Sequence, residues 1–266
     1  MIEVQKQIDL DLELDIYKKL LEDNILFFDI ETTGFDKEKE KVVLISGGWF
    51  LQDKKFVIKQ YFAESLDEEV QVLKAFKEDV AKFNSWCSYN GKAFDEPFIK
   101  KRMNINNIEF TPPREHIDLY RIIRPYYKQL GMERCNLKSV EKYLGIHRAD
   151  KIDGGINVEL YYDFLDTKDE RLRYVIMLHN YEDVLNLPSI FKLTYDIKKN
   201  DTLKREGGIT KKQLDYLRFL MKKNNIQITD DLKKISKKSA SRIIDSILRG
   251  NIDIDKFNEI IKDSYW

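Results

Sequence analysis

Between residues 25 and 62 the chain carries three apolar stretches in close succession, 25–31, 41–51 and 54–62, and only Gln52 and Asp53 separate the last two. Strand-like runs this close together pair as an antiparallel meander. Helical spacing follows. Val70, Leu73, Phe76, Val80 and Phe83 share one stripe within 66–83, a short strand is expected at 85–89, and another helix from about residue 94. After the Pro112-Pro113 break come a short strand into HIDLYRIIRPYY and helices around 137–144, 158–165 and 168–191. A meander followed by strand and helix in alternation predicts an α/β layout with a mixed sheet.

At 266 residues and 42% hydrophobic content the chain is long for one domain, so a large and a small unit are expected. The boundary is read from KKNDTLKREGG at 198–208, polar and closed by two glycines. Beyond it ITKKQLDYLRFLMKKNN and SKKSASRIIDSILRG have helical spacing, with Ser236 as N-cap and Gly250 as C-cap. The expected organisation is an N-terminal extension at 1–23, an α/β domain at 24–198, a linker at 199–208 and a small all-α domain at 209–266. In the extension Ile8, Leu10, Leu12, Leu14 and Ile16 alternate with polar residues, which fits either an added edge strand or a flexible lead.

The net charge of zero hides an asymmetry, because residues 201–266 hold 15 Lys/Arg against 10 Asp/Glu. A basic tail beside an acidic main part suggests a polyanionic partner, although solvated helix faces account equally well for the lysines alone. No apolar run approaches the roughly 20 residues of a membrane helix. The polar start lacks the basic and apolar regions of a signal peptide, so a cytoplasmic protein without membrane contact is expected. Cys87 and Cys135 stand far apart with no CxxC, which argues against a zinc site and a disulfide scaffold.

The stretch ILFFDIETTGFD ends a core-like strand on two acids. Alternation along the strand puts Asp29 and Glu31 on the same face, where two like charges repel unless a cation lies between them. Hard divalent ions suit such oxygen-rich sites. Taken alone, an Asp-x-Glu is more often a pair of solvated acids. Further acids change that: Asp95 opens a helix after the Asn90-Gly91 turn in SYNGKAFDEPFIKKR, and His179 and Asp183 share a helix face in HNYEDVLNL.

Together FFDIETTGF, YNGKAFDEPFIKKR and HNYED resemble the three exonuclease motifs of the DEDD superfamily, an RNase-H-like group that includes polymerase proofreading domains. HIDLYRIIRP, CNLKSVEKYLGIHRADKIDGG and YVIMLHNYEDVLNL are further similar to a YprB-like bacterial branch, over roughly residues 24–195. The resemblance implies an RNase-H-like mixed sheet flanked by helices. It also implies that Asp29, Glu31, Asp95 and Asp183 hold two divalent cations, Mg²⁺ or Mn²⁺, with His179 as fifth catalytic residue. The activity implied is 3′-to-5′ exonuclease cleavage of nucleic acid at single-stranded 3′ ends, DNA favoured and RNA possible, releasing nucleotide 5′-monophosphates. His179 departs from the pattern: one branch has Tyr four positions before the last Asp, the other His five before, and this chain has His at the tyrosine spacing and Leu178 at the histidine spacing. An imidazole there can still accept a proton near neutral pH.

Expected substrate contacts are Thr32, Thr33, Gly34, Asn90, Phe94 and Arg148, with Lys100, Lys101, Arg102, Arg121 and Arg124 as further candidates for phosphate. His116 is expected to hydrogen-bond within the fold. The alternative reading is a catalytically weak or inactive RNase-H-like binding module or adaptor that acts through its C-terminal helices. Residues 209–266 would then hold nucleic acid or a protein partner.

Overall fold

The computed structural model describes residues 1–152, 154–228 and 231–265. The chain forms two compact units, Met1–Leu119 with Asn136–Leu193, and Tyr120–Cys135 with Thr194–Trp266. In chain order the elements up to the fifth helix are β1 (Ile2–Asp9), α1 (Leu14–Glu22), β2 (Ile25–Thr32), β3 (Val42–Phe50), β4 (Lys55–Phe62), α2 (Glu69–Val80), β5 (Ser85–Ser88), α3 (Asp95–Ile105), β6 (Glu115–Asp118), α4 (Leu119–Ile123) and α5 (Leu137–Tyr143). They continue with α6 (Asn157–Thr167), α7 (Glu170–Lys199), α8 (Lys211–Lys223), α9 (Lys237–Leu248) and α10 (Ile254–Tyr265). No helix among the described residues is long and apolar enough to cross a membrane.

The first unit is built on a six-stranded sheet in the order β1-β4-β3-β2-β5-β6. The meander β2-β3-β4 is antiparallel, and β2-β5-β6 is parallel, so β2 is where the sheet changes sense. That position explains its composition. Central in the sheet and covered on both faces, β2 reads as a continuous apolar run until Asp29. On one face Phe28 stacks on Trp86 at 4.5 Å; on the other Phe27 meets Phe56 and Phe191 edge-on. Because Phe27 and Asp29 share a face, the ring contact with Phe191 shows that α7 lies along the acidic side of the strand. Gly48 in β3 makes room for it. A Cβ on Gly48 would stand 2.8 Å from Val184 Cγ1 of α7 and 2.5 Å from Phe56 Cζ.

The opposite face is closed by α2 and α3, and here a buried ion pair sets the spacing. Arg102 donates to both carboxylate oxygens of Glu69, Nε to Oε1 at 2.8 Å and Nη2 to Oε2 at 2.7 Å, while Glu69 Oε1 also accepts the Val42 N–H. Arg102, considered above as a phosphate ligand, is thus an internal tie between α3, α2 and β3, its side chain 6% exposed. Of its two neighbours, Lys100 pairs with Glu96 and Lys101 with Glu38.

Two elements extend beyond the expected layout. Ile2–Asp9 is an edge strand, one of the two readings of the extension, with β1 paired antiparallel to β4 from Ile2↔Phe62 to Asp9↔Lys55. The alternation read at 8–16 lies mostly past it, and Leu14 and Ile16 belong to α1. α1 buries Ile16, Tyr17 and Leu20, and the Tyr17 hydroxyl donates to the Leu51 carbonyl at 2.6 Å. The helix expected to stop near residue 191 runs on to Lys199, because Leu193 and Ile197 continue its buried stripe.

In the second unit α8, α9 and α10 enclose a core of Leu217, Leu220, Ile235, Ile243, Ile247, Phe257 and Ile261. Thr210 and Gln213 form a reciprocal capping box at the start of α8, and Ser236 caps α9 through the Ser239 N–H. Gly250, with φ +75°, takes the left-handed turn after α9.

Candidate active site

The site gathers at the end of β2, where the pairing register with β3 slips between Glu31 and Thr32. A bulge there re-aims the strand end next to the acids. Asp29 is fixed from behind by a buried relay. Gln60 Nε2 donates to Ser46 Oγ at 2.9 Å, Ser46 donates to Asn180 Oδ1, and Asn180 Nδ2 donates to Asp29 Oδ2 at 2.6 Å. Ser46 lies directly opposite Asp29 in the ladder. Sequence reading did not find this relay, whose members have no spacing that ties them together.

Asp95 opens α3 and is 4% exposed. Burial first pushes its carboxyl up, to about 7, against the pull of its own N–H and that of Ile30. The approach requires Gly91, since a Cβ there would lie 2.1 Å from Ser88 Oγ and 3.2 Å from Asp95 Oδ2. Asn90 takes φ +67°, and the buried Asp118 carboxylate accepts the N–H groups of Asn90 and Lys92, pinning the turn. His116 bonds within the fold through Nδ1 to Glu96 at 2.6 Å and Nε2 to Ser88 at 2.7 Å.

From α7 come His179 and Asp183, both buried. His179 Nε2 stands 3.5 Å from Asp183 Oδ2 and 3.9 Å from Glu31 Oε1, and one ligand atom from each of the three residues fits within 4.8 Å of the others. The other ring nitrogen, Nδ1, faces Asp150 Oδ2 at 2.6 Å. Burial raises the Asp150 carboxyl, but the Ile152 N–H, His179 and Arg148 hold it below the usual carboxylate range. An ionised carboxylate only accepts, so Nδ1 carries a proton, and Nε2 is the ring nitrogen turned towards Glu31 and Asp183.

Arg148 is turned inwards. Its guanidinium pairs with Asp183, with Glu141 at 3.2 Å and with Asp150 at 3.2 Å, and donates to the His179 carbonyl at 2.8 Å. The expectation of a phosphate contact treated it as a free charge, whereas its side chain is 7% exposed and engaged with four carboxylates, the fourth being Glu182 at 3.5 Å from Nε. The hydroxyls of Thr32 and Thr33 are also taken up locally, by the Gly34 carbonyl and by Glu40. Phe94 lies at the start of α3 with its ring 6.0 Å from that of Phe35, which is 86% exposed.

The carboxyls of the site are buried and crowd one another. Burial, then the charges of Asp183, Asp95 and Glu31, pushes the Asp29 carboxyl well above its ordinary range; burial and then Asp183 do the same to Glu31. Asn157 of α6 adds a second sign. It is 2% exposed and faces Glu31 closely enough to lower that carboxyl, yet neither of its amide atoms makes a hydrogen bond of good geometry. A buried amide short of well-formed hydrogen bonds beside desolvated acids fits a site completed by a hydrated cation or a ligand oxygen.

A mixed sheet with acids on its central strand and on the helix across it is the architecture of the RNase-H-like superfamily. Residues 26–195 match the RNase_H_2 family of the RNase_H superfamily, and the chain belongs to that family. It is 32% identical over 171 residues to the uncharacterized protein YprB of Bacillus subtilis (strain 168), an alignment that covers 63% of this chain. The chain spans 41% of that protein's length. Among solved structures, the family B DNA polymerase from the hyperthermophilic archaeon Pyrobaculum calidifontis superposes with a TM-score of 0.51 at 20% identity, over 65% of this chain and 24% of the polymerase. At that identity the likeness shows the fold. Brucella melitensis NrnC bound to pGG superposes with a TM-score of 0.42 at 14% identity, over 91% of this chain and 88% of its own.

Proposed function

We propose that the chain is a divalent-metal-dependent 3′-to-5′ exonuclease that removes nucleotide 5′-monophosphates from single-stranded ends, DNA or RNA. The observation that carries this reading is the convergence of Glu31, His179 and Asp183 beside Asp29 and Asp95, on a fold whose family is that of nucleases. Asp29, Glu31, Asp95 and Asp183 would hold two cations, Mg²⁺ or Mn²⁺, whose chemistry is to polarise a phosphoryl oxygen, acidify water and stabilise the leaving oxygen. His179 Nε2, kept free by the Nδ1 contact with Asp150, accepts the proton of the attacking water. Asn180 holds Asp29 in one rotamer, and Arg148 does the same for Asp183. The exposed Phe35 and its neighbour Phe94 offer apolar surface to a terminal base.

The test is direct. DNA and RNA labelled at the 5′ end, single- and double-stranded, should shorten stepwise from the 3′ end with Mn²⁺ or Mg²⁺ and stay intact with chelator. Labelled mononucleotide appearing first from the 5′ end would refute the polarity.

His179→Ala should slow cleavage by roughly 100- to 10,000-fold, the range of a lost general base. Asp150→Asn should lose about 10- to 100-fold, as expected for a group that acts through the one it orients. Single-turnover rates at saturating metal make the comparison. An alanine variant as fast as the parent would reduce His179 to packing and leave Asp150 with no function in the reaction.

A further inference from the structure

The core-facing stripe of α8 is Leu217, Leu220 and Met221, all buried. On the far side of the same helix, Tyr216 and Phe219 are 43% and 59% exposed, and their rings lie 6.4 Å apart, tilted only 16° from parallel. Two large rings stacked in solvent do nothing for the core of this unit. Their surroundings are cationic. Lys211, Lys212, Arg218, Lys222 and Lys223 are all exposed on α8, and none of the five makes an ion pair among the described residues. Asp215 is the one acid in the helix. By helical spacing Lys212 stands one turn before Tyr216 and Lys223 one turn after Phe219, so the ring pair is bracketed by charge.

We propose that this face of α8 is a docking surface for single-stranded nucleic acid. Unpaired bases present flat π-faces to the two rings, and the phosphates that link them meet Lys212, Lys222 and Lys223. Charge decides between occupants. A protein helix covering the two rings would need acids to match Lys212, Lys222 and Lys223, which have no ion pair among the described residues, whereas a nucleic-acid strand brings both the apolar faces and the negative charge. A duplex keeps its bases stacked inside and offers the rings nothing, so the surface selects unpaired strands. The inference rests on the proposed function only for the class of partner, and the two are separated by their readouts.

Binding is measured on the full chain carrying Asp29→Asn, in chelator, by fluorescence anisotropy of labelled oligothymidylate, oligouridylate and a duplex. The doubly substituted chain Tyr216→Ala, Phe219→Ala should bind both single strands about tenfold or more weakly, with an unchanged dependence on salt. Lys212→Gln with Lys223→Gln should instead flatten the slope of log affinity against log salt by about 1.4, two phosphates at roughly 0.7 each. Phe219→Trp should keep affinity, and its emission should fall on adding oligothymidylate but not an abasic strand of equal length. Circular dichroism confirms that each variant keeps its helices. Single-strand affinity untouched by loss of both rings overturns the proposal. So does a self-associating parent that the ring variant turns into a monomer, since the face would then be covered by a second copy. Stepwise cleavage with native Asp29 is scored separately: if it is absent while ring-dependent binding persists, the exonuclease reading falls and the docking surface stands.

Discussion

Asp29→Asn should abolish the proposed nuclease activity and leave the metal-free protein at least as stable as the parent. The side chain keeps its shape, and its amide oxygen can still accept from Asn180 Nδ2. What disappears is a charge that burial and three neighbouring acids oppose. In the parent, Mn²⁺ at about 100 times its dissociation constant should add roughly 2.7 kcal/mol, which for a chain of this size raises the melting temperature by about 5–11 °C. The asparagine variant should show little of that rise. The sign with pH follows from the raised carboxyls. Asp29, Glu31 and Asp95 hold protons in the folded state that the unfolded chain has already released, so the metal-free parent loses stability as pH climbs from the ordinary carboxylate range towards about 7. The Mn²⁺ shift should grow over the same window, where the ligands become free to bind. Differential scanning fluorimetry from pH 5 to pH 8 reads both trends; a variant that keeps the full metal response would remove Asp29 from the site.

Glu69→Ala should be the most damaging substitution for stability in the first unit. It strands the Arg102 guanidinium in the interior after removing both of its carboxylate acceptors, and it frees the Val42 N–H. Breaking a buried pair from one side costs about 3–5 kcal/mol, because the remaining charge is left without compensation. Replacing both partners, Glu69→Leu with Arg102→Met, should recover much of that loss. Urea titration of the two variants makes the test, and a single-variant loss under about 1 kcal/mol would mean that Arg102 finds water or another acid. Activity is expected to fall with Glu69→Ala as well, since α3 carries Asp95 and is tied to α2 through this pair.

The acids of the site were legible because each sits at a position that local structure makes conspicuous. Asp29 and Glu31 interrupt an apolar run, Asp95 follows a turn that needs Asn90 and Gly91, and Asp183 is one helical turn from His179. The groups behind them were not. Asp150 reaches His179 from a loop 29 positions away, and Asn157 and Asn180 are ordinary helix residues until the fold aims them. Arg148 drew notice as a charge, but nothing in HRAD says whether a guanidinium meets phosphate or Asp183. The same limit holds for the fold. Alternation at 8–16 left an edge strand or a flexible lead open, whereas the strand lies at 2–9 and its pairing with β4 depends on the order of the whole sheet. That 120–135 groups with the C-terminal helices has no counterpart in any local pattern.

The eight-residue ladder between β1 and β4 also closes a sheet edge on which copies of the chain could otherwise pair. Without the first nine residues, β4 would present an open row of backbone donors and acceptors along Lys55–Phe62, a long and largely apolar border. The strand that shields it is itself polar outward, with Gln5, Lys6 and Gln7 exposed in sequence. At the far border β6 runs for only four residues. Self-recognition between sheets is discouraged at one side by lysine and glutamine and at the other by brevity. A chain trimmed at the start of β2 would exchange that insulation for a template on which further copies could align.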